Sequence, residues 1–338
     1  MKIINPGWTG RLGASIMAFA ILALPLPGAH ADDLTSVQSA FDKAFSGPQR
    51  GSQVYQPTSF ASRIAALASA EQGRIGVAAV DLASGKGLEV LGDQPFPMAS
   101  TVKIAIAATF LDGVDRGLYS LEGQYPLMVP VPSKKFDGPV APVRAGTRLS
   151  ALNLIELSLT RSDNQATDAL LAAVGGPRAV NAWLRRSGNA GLRLDRDIAT
   201  LVRDDGAVNP AVTIDKRDSA TPLAMVQMLS GLYRGQWLSA ASQEVLLGAM
   251  SRCLTGKHRM RANLPEGAMI AHKTGTLSNT SSDVGIITTP DGRAMAVAIY
   301  VTGQGSKPAR DERIATIARA IYDGYTSEPM PLARTASR

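Results

Sequence analysis

The spacing of apolar positions changes several times along the chain, and each change marks an element. Residues 32–57 carry Leu34, Val37, Phe41 and Phe45 at helical intervals, then turn polar from residue 47, which predicts a short helix and a linker. Residues 59–72 place Phe60, Ile64 and Leu67 on one helical face. Residues 75–80 and 87–91 read as strands joined by Ala83-Ser84-Gly85-Lys86, a hairpin turn. Residues 101–118 are apolar nearly all round, as suits a helix buried in a core rather than lying on a surface. Residues 126–147 are Pro-rich and predict a loop. Helices follow over 149–159, 165–174 (closed by Gly175-Gly176) and 177–187. Residues 192–220 are polar and irregular, with turn signals at Asp204-Asp205-Gly206 and Asn209-Pro210. Helices resume over 222–232 and 239–253.

The last part changes character. Residues 269–272, 283–288 and 294–301 read as strands, the latter two joined by Pro290-Asp291-Gly292, and 312–322 as a closing helix before a flexible tail from 326 to 338. Strands therefore lie at both ends and helices between them. The expected fold is α/β (α+β), a mainly antiparallel sheet flanked by helices, with an inserted all-helical domain. Residues 59–98 plus 253–325 supply the sheet-and-helix domain, 99–252 the insertion, and 32–58 an N-terminal extension. No internal repeat is present.

The start of the chain alters the count of what remains. Lys2 and Arg11 precede an apolar run at 14–26, Pro25 and Pro27 break it, and Ala29-His30-Ala31 places small residues before Asp32. These features predict a signal peptide over 1–31 and a secreted, periplasmic protein. The run is shorter than the roughly 20 residues of a membrane span, and no later run reaches that length, so no stable membrane anchor is expected. Cleavage would leave 338 − 31 = 307 residues and lower the net charge from +7 by two, to +5. The basic residues are scattered, and Lys134-Lys135 does not form an aromatic-interleaved patch, so no nucleic-acid partner is expected. One cysteine and three histidines exclude an internal disulfide and leave little for a metal cluster, so neither metal nor cofactor is expected. Cys253 reads as a buried apolar thiol on a helix. The expected assembly is a monomer.

Three short clusters carry candidate chemistry. Ser100-Thr101-Val102-Lys103 opens the apolar helix, where residues three apart are neighbours and the Lys103 amine can reach the Ser100 hydroxyl. The positive end of the helix favours an oxyanion beside Ser100, and a lysine held among apolar residues has its pKa depressed and can serve as a base. The plain alternatives are an N-cap for Ser100 and a snorkelling surface chain for Lys103, the second at odds with its apolar neighbours. Ser162-Asp163-Asn164 lies between two helices and offers either a helix cap or a hydroxyl and an amide for proton relay and binding. Lys273-Thr274-Gly275-Thr276 offers either a strand end with a glycine bulge or a cationic wall with hydroxyls beside it.

In this order the clusters S-x-x-K, S-D-N and K-T-G resemble the signature of class A β-lactamases and penicillin-binding proteins. Phe96-Pro97-Met98-Ala99-Ser100, Leu194-Asp195-Arg196 and Arg217-Asp218 are also similar to class A enzymes, and the resemblance runs from about Ser59 to Tyr322. It implies a β-lactamase/transpeptidase-like fold and a small-molecule β-lactam substrate. It makes Ser100 the acylated nucleophile, Lys103 its general base, either directly or through water, and Ser162 the proton shuttle to the departing nitrogen. Asn164 would bind the substrate amide; Lys273, Thr274 and Thr276 would bind its carboxylate. The backbone N–H groups of Ser100 and Thr276 would form the oxyanion hole, and Arg196 and Asp218 the ion pair that pins an Ω-shaped loop.

The pattern breaks at one point. The family's deacylating glutamate stands two residues after the Leu-Asp-Arg arginine, and here that position is Ile198. Counted back thirteen from Asp218, the equivalent is Asp205, with Asn209 four residues on, so the loop is about seven residues longer than the family's and the carboxylate is expected to have moved within it. Asp197 is a second candidate, and Asp204 with Asp205 also reads as a plain turn. An exported β-lactamase is the leading reading. A DD-peptidase of penicillin-binding type and a slowly deacylating β-lactam binder are the alternatives.

Overall fold

The computed structural model describes residues 59–327. The expected signal peptide, the 32–58 extension and the tail beyond 327 lie outside them. Helix α1 (Ser59–Leu67) leads into strands β1 (Gly73–Asp81) and β2 (Gly87–Val90). The chain returns to this sheet only at β8 (Met269–Leu277), β9 (Thr280–Thr288) and β10 (Ala294–Gly303), and it closes with α9 (Lys307–Ser327). The order is β2-β1-β10-β9-β8, with every neighbouring pair antiparallel.

Both faces of the central strands are apolar because both are covered. Ile75, Val77 and Ala79 of β1 join Val297, Ile299 and Val301 of β10 under α1 and α9, where Ile64, Ile314, Ile317 and Ile321 complete the layer. Ala78, Val80, Ala296, Ala298 and Tyr300 point the other way, into the core of the helical half. Each large aliphatic chain so buried contributes roughly 1.5–3 kcal/mol of transfer free energy. Gly76 has a specific cause: a Cβ there would stand 2.3 Å from the Phe96 ring, so a side chain would push Phe96 off the sheet.

Between the halves run β3 (Phe96–Pro97), a 3₁₀ turn (Ala99–Val102), α2 (Lys103–Asp115), β4 (Gln124–Pro130), β5 (Val143–Ser150), α3 (Ala151–Thr160), α4 (Asn164–Val174) and α5 (Pro177–Arg186). Then follow β6 (Leu192–Arg193), α6 (Ile198–Arg203), β7 (Ser219–Ala220), α7 (Pro222–Tyr233) and α8 (Ala240–Ser251). Helix α2 is buried on all sides, as its composition predicts.

Four expectations need correction. Residues 126–147 are not a loop throughout: β4 and β5 pair as an antiparallel ribbon, so the insertion is not all-helical. The prolines mislead there because a two-stranded ribbon is all edge and tolerates missing N–H donors. Within 192–220 lies helix α6. The 269–272 strand continues to Leu277, so Lys273-Thr274-Gly275-Thr276 sits inside β8 in regular register with β9, not at a bulged end. Cys253 is buried but lies beyond the end of α8 rather than on it.

Candidate active site

The 3₁₀ turn puts Ser100 at the entrance of α2, and Lys103, the first residue of that helix, is fully buried. The Lys103 amine donates to the Ser162 carbonyl at 2.6 Å and to Asn164 Oδ1 at 2.6 Å. Burial, and then the nearby Lys273 charge, hold that amine well below the ordinary lysine range.

Ser162 and Asn164 are presented by the junction of α3 and α4. Asp163 is the N-cap of α4, its carboxylate accepting the Ala166 N–H at 2.8 Å. Ser162 takes a left-handed φ of +59°, a conformation costly for a serine and held by its surroundings. This turns its hydroxyl towards β8, where Lys273 Nζ donates to Ser162 Oγ at 2.9 Å. Ser162 therefore joins two buried amines, its carbonyl on Lys103 and its hydroxyl on Lys273. Lys273 is also fully buried, and burial pushes its amine down to about 8 against the neighbouring anionic groups.

Strand β8 lies tight against the turn that bears Ser100. A Cβ at Gly275 would stand 2.6 Å from the Met98 carbonyl and 3.0 Å from Ala99 Cβ. The glycine serves this approach of β8 to the turn that bears Ser100, and Thr276, the next residue, is exposed. Ala99 also has a left-handed φ, +48°, next to the serine.

The loop that follows β6 is pinned at both ends by Asp218, which is 3 % exposed. Its carboxylate accepts Arg196 Nε at 2.6 Å, the Asp195 N–H at 2.7 Å and the Arg196 N–H at 3.0 Å. Asp218→Ala would leave two N–H groups without an acceptor and a mostly buried guanidinium with only the longer 3.8 Å pairing to Asp204, an expected loss of about 2–4 kcal/mol. Thermal unfolding and limited proteolysis within residues 197–217 check this; a melting temperature like that of the wild type would refute it.

The loop's carboxylates do not meet at Ser100. Both oxygens of Asp205 accept the Ser278 N–H, at 2.9 and 3.0 Å, and Asn209 Oδ1 accepts from Asn279 Nδ2 at 2.9 Å. These contacts fasten the longer loop to the turn after β8, beside a recess that neither Ser100 nor Lys103 lines. Asp197 caps α6 through the Thr200 N–H at 2.7 Å. Ile198 packs into the core at 2 % exposure.

Two polar residues in this region escape a reading of the sequence. Asp168, one turn beyond Asn164 on α4 and 5 % exposed, accepts the Ile198 N–H at 2.7 Å and the Ala199 N–H at 2.8 Å. Burial raises its carboxyl to about 6 despite those bonds and despite the Lys103 charge. Asp168, Asn164, Ala199, Met128 and Pro130 line a recess of about 210 Å³ between α6 and the β4–β5 ribbon. Arg259, 2 % exposed, donates to Asp311 Oδ1 at 2.7 Å, to the Gly275 and Ser282 carbonyls at 2.8 Å, and to Thr276 Oγ1 at 2.6 Å. It places a third cation behind the Lys273 wall; the only trace in the sequence is the basic run from Lys257 to Arg261.

Among the described residues no group of three or more His, Cys, Asp or Glu side chains could hold a metal, and no helix is long and apolar enough to cross a membrane. The family model described as the β-lactamase enzyme family matches residues 59–325. β-Lactamase CTX-M-97 of Escherichia coli is 30% identical over 80% of this chain and 90% of its own. β-Lactamase CTX-M-8 of Citrobacter amalonaticus is 31% identical over 78% and 88%. Among solved structures, the last common ancestor of Gram-negative bacteria β-lactamase class A superposes with a TM-score of 0.67 at 35% identity, covering 79% of this chain and 99% of that one. The chromosome-encoded β-lactamase of Vibrio parahaemolyticus gives 0.67 at 30% identity, over 79% and 98%.

Proposed function

The chain belongs to the class A serine β-lactamase family, and from that premise we propose that it is an exported enzyme that opens the β-lactam amide through an acyl-enzyme on Ser100. The observation that supports this reading most directly is the Ser162 bridge between the two buried amines. A neutral Lys103 accepts the Ser100 proton as the oxygen attacks the lactam carbonyl. The oxyanion that forms is held by the Ser100 and Thr276 N–H groups. When the C–N bond breaks, the leaving nitrogen takes the Ser162 hydroxyl proton, and Lys103 restores it after that hydroxyl rotates from Lys273 towards the Lys103 amine. Lys273, Thr274 and Thr276, with Arg259 behind them, receive the substrate carboxylate, and Asn164 the amide of its side chain. In the cell the product of this reaction is resistance to the β-lactams hydrolysed.

Deacylation needs a base that Ile198 cannot supply. Asp205 is the carboxylate that loop counting selects. Asp168 is favoured by its setting: it holds the Ile198 N–H, interacts with the Lys103 charge and shares a recess with Asn164 in which a water has room. Mixing the mature protein with a chromogenic cephalosporin, while following colour and intact mass, tests the whole scheme. Steady turnover through a transient Ser100 adduct is expected. A single burst with a lasting adduct would make the protein a binder, and cleavage of a D-Ala-D-Ala peptide without β-lactam turnover would make it a peptidase.

A further inference from the structure

Cys253 and His272 have no part in the scheme above, yet both are buried beneath the substrate-facing strand, at 1 % and 0 % exposure. The Cys253 sulfur lies 3.3 Å from Thr255 Oγ1, and Thr255 Oγ1 lies 2.6 Å from Thr274 Oγ1. The approach is tight because residue 256 is glycine: a Cβ there would stand 2.3 Å from Thr274 Cγ2. A line of three one-proton groups thus runs from a buried thiol to a hydroxyl at the carboxylate subsite. On the far side of the thiol, His272 Nδ1 is held by Asp283 Oδ1 at 2.8 Å, and the rest of the imidazole faces the Cys253 sulfur as a hydrogen-bonding neighbour.

Proton counting gives the line a direction. Thr274 can offer its only proton to an anion in the pocket while it accepts the 2.6 Å bond from Thr255. Thr255 has then used its own proton and meets Cys253 as an acceptor, so the thiol donates to it at 3.3 Å in preference to the Thr255 carbonyl at 3.8 Å. An ionised thiol is acceptor-only; Thr255 turns its proton to the sulfur, Thr274 turns its proton to Thr255, and the pocket faces a lone pair.

We propose that Cys253 is a positioning residue for substrate binding, its protonated thiol acting through Thr255 to fix the Thr274 hydroxyl as a donor to the β-lactam carboxylate. This rests on the β-lactamase reading. The charged groups that bear on the sulfur are His272 and Lys273 on β8 and, beyond them, Asp283 on β9 and Arg259 before β8. Burial raises the thiol, but the His272 hydrogen bond and charge, the Thr255 hydrogen bond and the Lys273 charge together outweigh burial and hold it at about 7. The switch of direction therefore falls near neutral pH, with the donating arrangement on the acid side.

The test compares wild type, Cys253→Ala, Cys253→Ser and Thr255→Val with a chromogenic cephalosporin and with its carboxylate methyl ester, from mildly acid to mildly alkaline pH. A hydrogen bond to a charged group is at stake, so Cys253→Ala and Thr255→Val should raise KM on the order of ten-fold for the free acid, with kcat little changed. The ester should not register the change. Cys253→Ser, whose hydroxyl does not ionise in this range, should restore the acid-side KM and abolish its alkaline rise. Cys253→Ala with a wild-type KM and pH profile, or an equal loss with the ester, would overturn the proposal. Should the wild type acylate without turning over, the second-order acylation rate from intact mass gives the same comparison, so failure of the hydrolase reading is seen separately. Melting temperatures of the four proteins identify any loss due to unfolding.

Discussion

Lys103→Met should lower the rate of Ser100 acylation by roughly 10²–10⁴-fold, the usual worth of a positioned general base. Methionine matches the length of the lysine stem and suits the apolar walls, so the change removes the amine and little else. The amine is fully buried and held well below its ordinary value by burial and by Lys273, so the neutral form that can accept a proton is far more available than in a solvated lysine. The same depression has a sign for stability. A lysine whose folded pKa is lowered binds protons more readily in the unfolded chain, so protonation penalises the fold. That penalty is complete below the folded value and is relieved as pH rises towards the ordinary lysine value of 10.5. Wild type should therefore gain stability relative to Lys103→Met between neutral and alkaline pH. Acylation followed by intact mass and urea unfolding at two pH values check both halves. An unchanged acylation rate would move the base elsewhere.

Asp168→Asn should leave acylation in place and stall the second half of the reaction, with deacylation slowed on the order of 10²–10⁴-fold. The asparagine still accepts one N–H from α6 but cannot take a proton from water. The expected record is a burst of product and a mass adduct that persists on Ser100. Because the carboxyl titrates at about 6 and acts as its anion, wild-type deacylation should also fall as pH drops through that value. Asp205→Asn is the counterpart. Its carboxylate is engaged with the Ser278 N–H, so its loss should loosen the loop more than it slows the chemistry. A stalled Asp205→Asn beside a normal Asp168→Asn would assign the step to the loop.

What the sequence discloses and what it hides follow from how local each cause is. The strands of the large sheet are legible because β-branched runs such as Val297 to Val301 need no partner to be recognised. Helix α2 is legible from its unbroken apolar surface. Helix α6 is not, because half of its capping comes from Asp168, thirty residues back along the chain, and only the fold brings that carboxylate to Ile198 and Ala199. The three motifs name Ser100, Lys103, Ser162 and Lys273, but their spacing does not say which atom of Ser162 meets which amine; a left-handed φ decides that. Arg259 and Cys253 stay hidden for the same reason. Arg259 bonds Asp311 of α9 and backbone carbonyls of β8 and β9, and Cys253 reaches Thr274 through Thr255, so the partners that give both residues a setting lie far along the chain.

The order β2-β1-β10-β9-β8 also sets the sequence of events by which the pocket comes into being. Strands β8, β9 and β10 are successive hairpins and can zip together as neighbours, carrying Lys273 and Thr276 with them. The other wall, with Ser100 and Lys103, follows β1, and Gly73 of β1 pairs with Gly303, 303 − 73 = 230 residues later. Closing a loop of that length costs about 5 kcal/mol of chain entropy before any contact repays it. The nucleophile and the cationic wall therefore mature apart. On the proposed reading of Ser100, a growing chain should stay chemically silent until β10 pairs with β1, because only then does the turn bearing Ser100 meet the strand bearing Lys273.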